Sequence, residues 1–132
     1  MKEQPKIGMT GQVEFVVGED NVIRFDSDKM PGVLATPSLI GFLEQAARVA
    51  IEKILEPDES SVGIEIEVQH LAPTPPGHKV VCSAKVIYVD GNIISFHIEA
   101  SDQIELIARG THKRAVIKVD RFKRRVEKKS KI

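Results

Sequence analysis

The spacing of apolar residues changes along the chain, and each spacing predicts a different element. Apolar residues recur every three or four positions between about residues 37 and 55, which predicts one long helix. Beyond residue 61 the period shortens to two, as expected for strands. Two short apolar runs, 11–17 and 22–25, precede the helix, and GEDN between them predicts a hairpin turn. A loop is expected over residues 25–35.

Four or so antiparallel strands are predicted after the helix. In VGIEIEVQHL, alternation puts Val62, Ile64, Ile66 and Val68 on the core face, and His70 continues that face at the end of the strand. A turn-rich APTPPG leads into HKVVCSAKVIYV, and the Asp-Gly pair at positions 90 and 91 is a strong hairpin signal. The strands NIISFHIEA and IELIARGTHKRAVIKV complete the set.

A long sheet with a single helix can cover only one of its faces. Wrapping the sheet around the helix, and pairing two such sheets edge to edge in a dimer, would remove a free edge. We therefore predict an α+β hot-dog fold, with an antiparallel sheet wrapped around one long central helix. At 132 residues we expect one domain over residues 1–120, followed by a basic tail over residues 121–132.

The composition indicates a cellular location and argues against a membrane partner. The chain is 42% apolar and 29% charged, and it lacks both a signal-like apolar run at its start and a bilayer-length segment. Its single cysteine, Cys82, excludes an internal disulfide and suits a reducing compartment. We expect a cytoplasmic protein with no membrane partner.

Charge is unevenly distributed although the net charge is zero. Residues 121–132 carry +6, which leaves −6 on the preceding 120 residues. A basic tail can contact nucleic acid or an anionic surface, but it is more often a solvated terminal helix or a frayed end. Because Phe122 is the only aromatic residue in it, we do not expect a nucleic-acid partner.

Two side chains stand out as candidates for chemistry. His70 is either a core histidine bonded to the backbone or a catalytic imidazole, held in place by the proline-rich corner that follows it. Glu44 lies among small and apolar helix neighbours. It is either the partner of Arg48 in a surface ion pair or a carboxylate that acts as base or nucleophile.

Thr36 also has two interpretations. It is a good N-cap ahead of Pro37, and a hydroxyl at a helix N-terminus can also help to polarise a carbonyl. Thr36 and Glu44 would lie roughly 12 Å apart along the helix axis. If both act on one small substrate, one of them must come from a partner subunit.

Other motifs are absent. The histidines and the cysteine have no zinc-like spacing, and GxGxxG, P-loop and GxSxG patterns do not occur. Cys82 shares a strand face with apolar residues and is expected in the core. His112 and Arg114 lie on one face of the last strand, which suits a polar or ligand-facing patch.

Four segments together carry a family resemblance. LATPSLIGFLEQAA, VGIEIEVQHLAPTPPGHKV, VDG and GTHKRAVI resemble the hot-dog thioesterases related to fluoroacetyl-CoA thioesterase, over roughly residues 11–120. The most specific part is TP followed by a glutamate within the helix, together with HLAPTPPG. The resemblance implies a catalytic threonine, glutamate and histidine, a glycine near the acyl end of the pocket and an arginine on the closing strand: Thr36, Glu44, His70, Gly63 and Arg114.

The resemblance also implies a reaction and an assembly. It implies hydrolysis of an acyl-CoA thioester at a homodimer interface, without a metal or redox cofactor, and leaves open whether dimers pair into tetramers. The fluoroacetyl-specific enzyme has aromatic lid residues before the helix, whereas DSDKMPGVL here offers Met30. A more general short- or medium-chain acyl group is therefore expected, with Met30 in the substrate site. The alternatives are a non-catalytic acyl-CoA-binding hot-dog module and a hot-dog hydratase or dehydratase, although no hydratase motif is present. A third alternative is a protein that binds nucleic acid through its basic tail.

Overall fold

The computed structural model describes residues 1–24 and 29–131. One long helix packs against an antiparallel five-stranded sheet whose strand order is β1-β5-β6-β7-β4, and β2 and β3 form a separate pair. The predicted α+β architecture is confirmed. In chain order the elements are β1 Thr10–Val16, β2 Val22–Ile23, β3 Val33–Leu34, α1 Thr36–Ile51, β4 Glu59–His70, β5 Lys79–Asp90, β6 Ile93–Ser101, β7 Leu106–Lys118 and α2 Val119–Ser130.

The helix α1 forms the centre of the core. Its buried face is made of large aliphatic side chains at one end and small ones towards the other: Leu39, Leu43, Ala46, Ala47, Ala50 and Ile51. The alanines let β1 cross the helix closely, and a Cβ at Gly11 would clash with the backbone of the helix. The sheet contributes Cys82, Ile94, Phe96 and Ile98, all fully buried, and the core position predicted for Cys82 is confirmed.

The hairpin predicted around GEDN is wrong. The Asn21 side chain accepts a hydrogen bond from the Gly18 N–H, and the segment closes as a short 3₁₀ turn over Glu19–Asn21. The strand β1 pairs with β5, and β2 pairs with β3. Of the loop expected over residues 25–35, residues 25–28 lie outside the described residues, and Val33–Leu34 form strand β3, so the prediction is wrong at those two positions. The hairpin predicted at Asp90-Gly91 does form, between β5 and β6.

The strand β4 departs from strict alternation. Its pairing with β7 shifts between Gly63 and Glu65, which places Ile64 in a β-bulge. The core-facing position predicted for Ile64 is therefore wrong, and its side chain is 52% exposed. The bulge changes which residues face α1. Gly63 faces the helix before the bulge, and Ile66 packs against the core after it.

Strand β4 is an open edge of the sheet, and its neighbour β7 continues into the second helix. The strand β4 forms one edge and is 12 residues long, so it leaves a long row of unpaired backbone groups within this chain. The strand β7 leads directly into α2, a helix without buried residues. Neither helix in the described part of the chain is long and apolar enough to cross a bilayer.

Candidate active site

The polar residues on the inner side of the sheet form two separate groups. The first, which we call the Thr36–His70 pair, joins the start of α1 to the end of β4. The second, which we call the Glu44 cluster, joins the middle of α1 to β4 and β7 and consists of Glu44, Ser61, Gly63, His112 and Arg114.

Thr36 does not cap its helix. Ala35 is the N-cap, Thr36 is the first helical residue, and its side chain makes no capping bond. The predicted capping role is therefore wrong, because the helix begins one residue earlier than Pro37 suggested. The Thr36 hydroxyl lies 2.8 Å from Nδ1 of His70 instead.

The imidazole of His70 is held in a single arrangement by this contact. Burial lowers its pKa below the ordinary histidine value, so the ring is neutral at pH 7. Its Nε2 atom is buried and has no hydrogen-bond partner among the described residues. A cavity of about 460 Å³ adjoins the pair, and Leu34, Ala35 and Leu71 contribute to its walls. An imidazole with one anchored nitrogen and one free nitrogen can orient or protonate a bound group.

The Glu44 cluster is built around a buried guanidinium. Arg114 is only 3% exposed, and its Nη1 lies 3.6 Å from Oε2 of Glu44. Its Nε donates to the Ser61 hydroxyl at 2.9 Å, and its Nη2 donates to the Ser61 carbonyl at 2.9 Å. In the described residues Glu44 makes no ion pair with Arg48, so the surface pair considered from the sequence is wrong.

His112 completes the support of Arg114. The guanidinium can only donate, so the Nε2 of His112, 3.1 Å from Nη1, must accept. Its Nδ1 then carries the proton and donates to the Glu65 carbonyl at 2.8 Å. Burial, with the Arg114 charge as a smaller cause, lowers the pKa of His112 and keeps it neutral.

Gly63 lets β4 lie close to the carboxylate because it has no side chain. A Cβ at this position would lie 3.2 Å from Oε2 of Glu44 and 3.2 Å from Cε1 of His112. The Glu44 side chain is 39% exposed, so one side contacts Arg114 and another faces open space. This arrangement offers a carboxylate that is paired with Arg114, close to the backbone of β4, and accessible on its other side.

The structure therefore brings Gly63, Glu44 and Arg114 together, and separately Thr36 and His70. Met30 lies at the surface, 57% exposed, and is not among the residues that line the cavity beside His70. Ser61 was missed by the sequence reasoning, and its only signal was a polar residue at the start of an apolar alternation.

Other chemistry has little support in this part of the molecule. The described residues contain no group of three acidic, histidine or cysteine side chains that could hold a metal ion. Burial raises the pKa of the Cys82 thiol to about 12, which leaves it unreactive in the core. The two polar groups around α1 remain the candidates for the active site.

Comparison with known proteins identifies the family of the chain. A family model described as "fluoroacetyl-CoA-specific thioesterase" matches residues 17–120. The chain belongs to this family. A fluoroacetyl-CoA thioesterase from Streptantibioticus cattleyicolor is 35% identical, with 98% of both chains covered. This membership confirms the resemblance seen in the sequence and the predicted enzyme class, a thioester hydrolase.

Solved structures support the family and the fold. A fluoroacetyl-CoA thioesterase superposes with a TM-score of 0.87 at 33% identity, covering 96% of this chain and 98% of that one. A hypothetical protein from Thermus thermophilus, described as a thioesterase superfamily member, gives 0.86 at 26% identity over 97% of each chain. A hot-dog-like protein from Thermanaerovibrio acidaminovorans gives 0.84 at 24% identity, over 93% of this chain and 91% of its own, and supports the fold alone. The predicted hot-dog fold is confirmed.

Proposed function

We propose that the protein hydrolyses a short- or medium-chain acyl-CoA to the free acid and coenzyme A. The class of reaction follows from the thioesterase family to which the chain belongs. The observation that carries the proposal is the carboxylate of Glu44, which contacts buried Arg114 and lies next to the side-chain-free Gly63. An acyl carbonyl placed beside Gly63 would be within reach of that carboxylate.

Glu44 starts the reaction in one of two ways. As a base it takes a proton from water while the water oxygen bonds to the thioester carbon. As a nucleophile it bonds to that carbon itself and forms a mixed anhydride, which water then opens. In both routes the C–S bond breaks, the carboxylic acid retains one oxygen from water, and the thiolate of coenzyme A leaves.

Thr36 and His70 act on the carbonyl and the leaving group. Negative charge develops on the thioester oxygen, and the free N–H groups at the start of α1, beside the Thr36 hydroxyl, favour charge of that sign. Neutral His70, bonded to Thr36, orients the water, takes up the proton that the water gives up and passes it to the departing thiolate. For these reasons we propose Thr36, Glu44 and His70 as the catalytic residues, as expected from the sequence.

These roles require two copies of the chain. Thr36 and Glu44 lie roughly 12 Å apart along α1, too far for one carbonyl carbon. If β4 pairs antiparallel with β4 of a second copy near Glu67, Gly63 lies opposite His70 of the partner subunit. Because the bulge at Ile64 turns Gly63 to the same face as His70, each Glu44 cluster then adjoins the partner's Thr36–His70 pair. We infer a homodimer with two shared sites.

The acyl group and the location are the finer parts of the proposal. The relatives are named for fluoroacetyl-CoA, but the segment before α1 carries Met30 in place of an aromatic lid. Met30 is flexible and apolar, and as part of a lid it would adapt to acyl chains of different length. A cytoplasmic location accords with the single buried cysteine.

The test is thiol release from a panel of acyl-CoA esters, from acetyl to medium chains and including fluoroacetyl. We expect wild type to hydrolyse several esters, and Glu44→Gln to lose at least about a hundredfold in kcat with its fold retained. Glu52→Gln, an exposed glutamate on the turn that follows α1, is the control. Coenzyme A binding without hydrolysis of any ester would favour the alternative, a non-catalytic acyl-CoA-binding module.

A further inference from the structure

The terminal helix α2 is not part of the core. It covers Val119–Ser130, and all of its residues are exposed. Its start is anchored because the Val119 N–H donates to the Asp58 carbonyl at 2.9 Å. Because none of its residues is buried, α2 gains little stability from packing within the single chain. An isolated helix of 12 residues is only marginally stable in water, so α2 would be stabilised by a surface that covers it.

The residues of α2 separate by chemistry around its axis. Val119, Phe122 and Val126 follow a spacing of three and four, so they form one apolar stripe on the helix surface. Their side chains are 41%, 41% and 49% exposed, respectively. A stripe that contains phenylalanine and stays this exposed is a surface for contact with something apolar.

A row of positive charge runs beside that stripe. Arg121, Arg125 and Lys129 are four residues apart, so each repels the next along one side of the helix. Lys123 flanks the stripe on its other side. Residues 119–131 include seven basic and two acidic residues. In the described part of the chain, none of the seven basic side chains makes an ion pair.

We propose that α2 binds the surface of an anionic phospholipid bilayer. The helix lies flat, with Val119, Phe122 and Val126 at the boundary between headgroups and acyl chains and the flanking basic residues on lipid phosphates. Anionic headgroups remove the repulsion between neighbouring basic residues, and the bilayer buries the stripe that the chain leaves exposed. The sequence predicts no membrane partner because it has no spanning segment, but a helix that lies on a surface needs none.

The apolar stripe favours a bilayer over other partners. Nucleic acid would contact the basic residues through its phosphates, but it would leave Val119 and Val126 without a role, and Phe122 alone is no stacking platform. A second α2 would cover the stripe only by bringing two strongly basic helices together. A surface with both negative charge and an apolar interior complements both features of α2.

Vesicle co-sedimentation of the full-length protein tests the proposal, using phosphatidylcholine vesicles with and without phosphatidylserine. We expect binding only to the anionic vesicles, and weaker binding at high salt. Phe122→Ser, which keeps every charge, should weaken binding roughly tenfold or more. The double variant Arg125→Glu, Lys129→Glu should weaken it on the order of a hundredfold.

A matched variant controls for total charge. Lys6→Glu, Lys85→Glu makes the same change at two exposed positions outside α2 and should bind almost as wild type does. Circular dichroism of every variant verifies the fold. Equal binding to neutral and anionic vesicles, no binding at all, or no effect of Phe122→Ser would overturn the proposal. So would duplex DNA binding in place of vesicle binding, or self-association that depends on Phe122.

Discussion

Glu44 can lie on a helix of small and apolar residues because its charge faces a buried guanidinium. Arg114 is held by Ser61 and His112 as well as by Glu44, so most of its N–H groups have a fixed acceptor. Because these contacts hold the guanidinium in one position, its positive charge favours one position of the Glu44 carboxylate. Ser61 thus acts on Glu44 through Arg114, as a positioning residue.

We predict that Ser61→Ala lowers kcat about tenfold and changes KM little, because Arg114 loses one of its anchors. The unpaired Nε–H should also lower the free energy of unfolding by about 1–3 kcal/mol. Ser61→Thr restores the hydroxyl and should recover most of kcat, while Ser60→Ala is the neighbouring control. Lower stability with unchanged kcat would reduce Ser61 to a structural role.

His112 makes stability depend on pH. Burial lowers its folded pKa, so below the ordinary value of 6.5 the unfolded chain binds a proton that the native chain does not. The free energy of unfolding should therefore fall as the pH drops from 7.5 to about 5.5. His70 acts in the same direction, so it accounts for a further part of the slope.

Urea unfolding at a series of pH values measures this effect. His112→Asn should flatten the slope between pH 7.5 and about 5.5, whatever its effect on absolute stability. His97→Asn, at an exposed histidine of β6, is the control for the change of residue type. An unchanged slope in His112→Asn would show that other groups cause the pH dependence. The carboxyl groups whose pKa is lowered, Glu59 and Asp102, act at more acidic pH.

At the scale of elements, the predictions succeeded where the signal was local. The apolar period of α1 and the turn at Asp90-Gly91 each depend on residues close in sequence, and both elements form. The partner of β1 is β5, roughly 70 residues away, and no local pattern specifies that pairing. GEDN does form a local turn, but the hairpin predicted there was wrong because β1 pairs with distant β5 and β2 pairs with β3.

The candidate site shows the same division. Glu44 and His70 can be picked out from the sequence because each residue type is unusual at its place in a helix or strand. Thr36 is an ordinary residue at a helix start and stands out only through the family resemblance. Their separation into two groups depends on the register of β4 against β7 and on the bulge at Ile64. That bulge is a property of the folded sheet, and strict alternation would have placed Gly63 and His70 on opposite faces.

At the scale of the molecule, the residues of the proposed active site lie in two separate places on one chain. The long free edge of β4 lies between the Thr36–His70 pair and the Glu44 cluster, so an antiparallel copy on that edge would complete both sites at once. The proposed dimer is therefore a condition for activity as well as a way to cover a sheet edge.

Mixed dimers test this directly. Glu44→Gln and His70→Ala should each be nearly inactive alone. In a mixed dimer one site carries both substitutions, while the other combines an intact Glu44 with an intact His70 of the partner subunit. Random co-assembly should therefore restore about a quarter of wild-type activity, since half the dimers are mixed and each has one intact site of two.

Two further mixtures serve as controls. A mixture of the Glu44→Gln variant with the Thr36→Ala variant should recover activity in the same way. The pair Thr36→Ala and His70→Ala should recover nothing, because both residues belong to the same half of each site. Recovery by that last pair, or none by the first, would mean that the sites are not shared in this way.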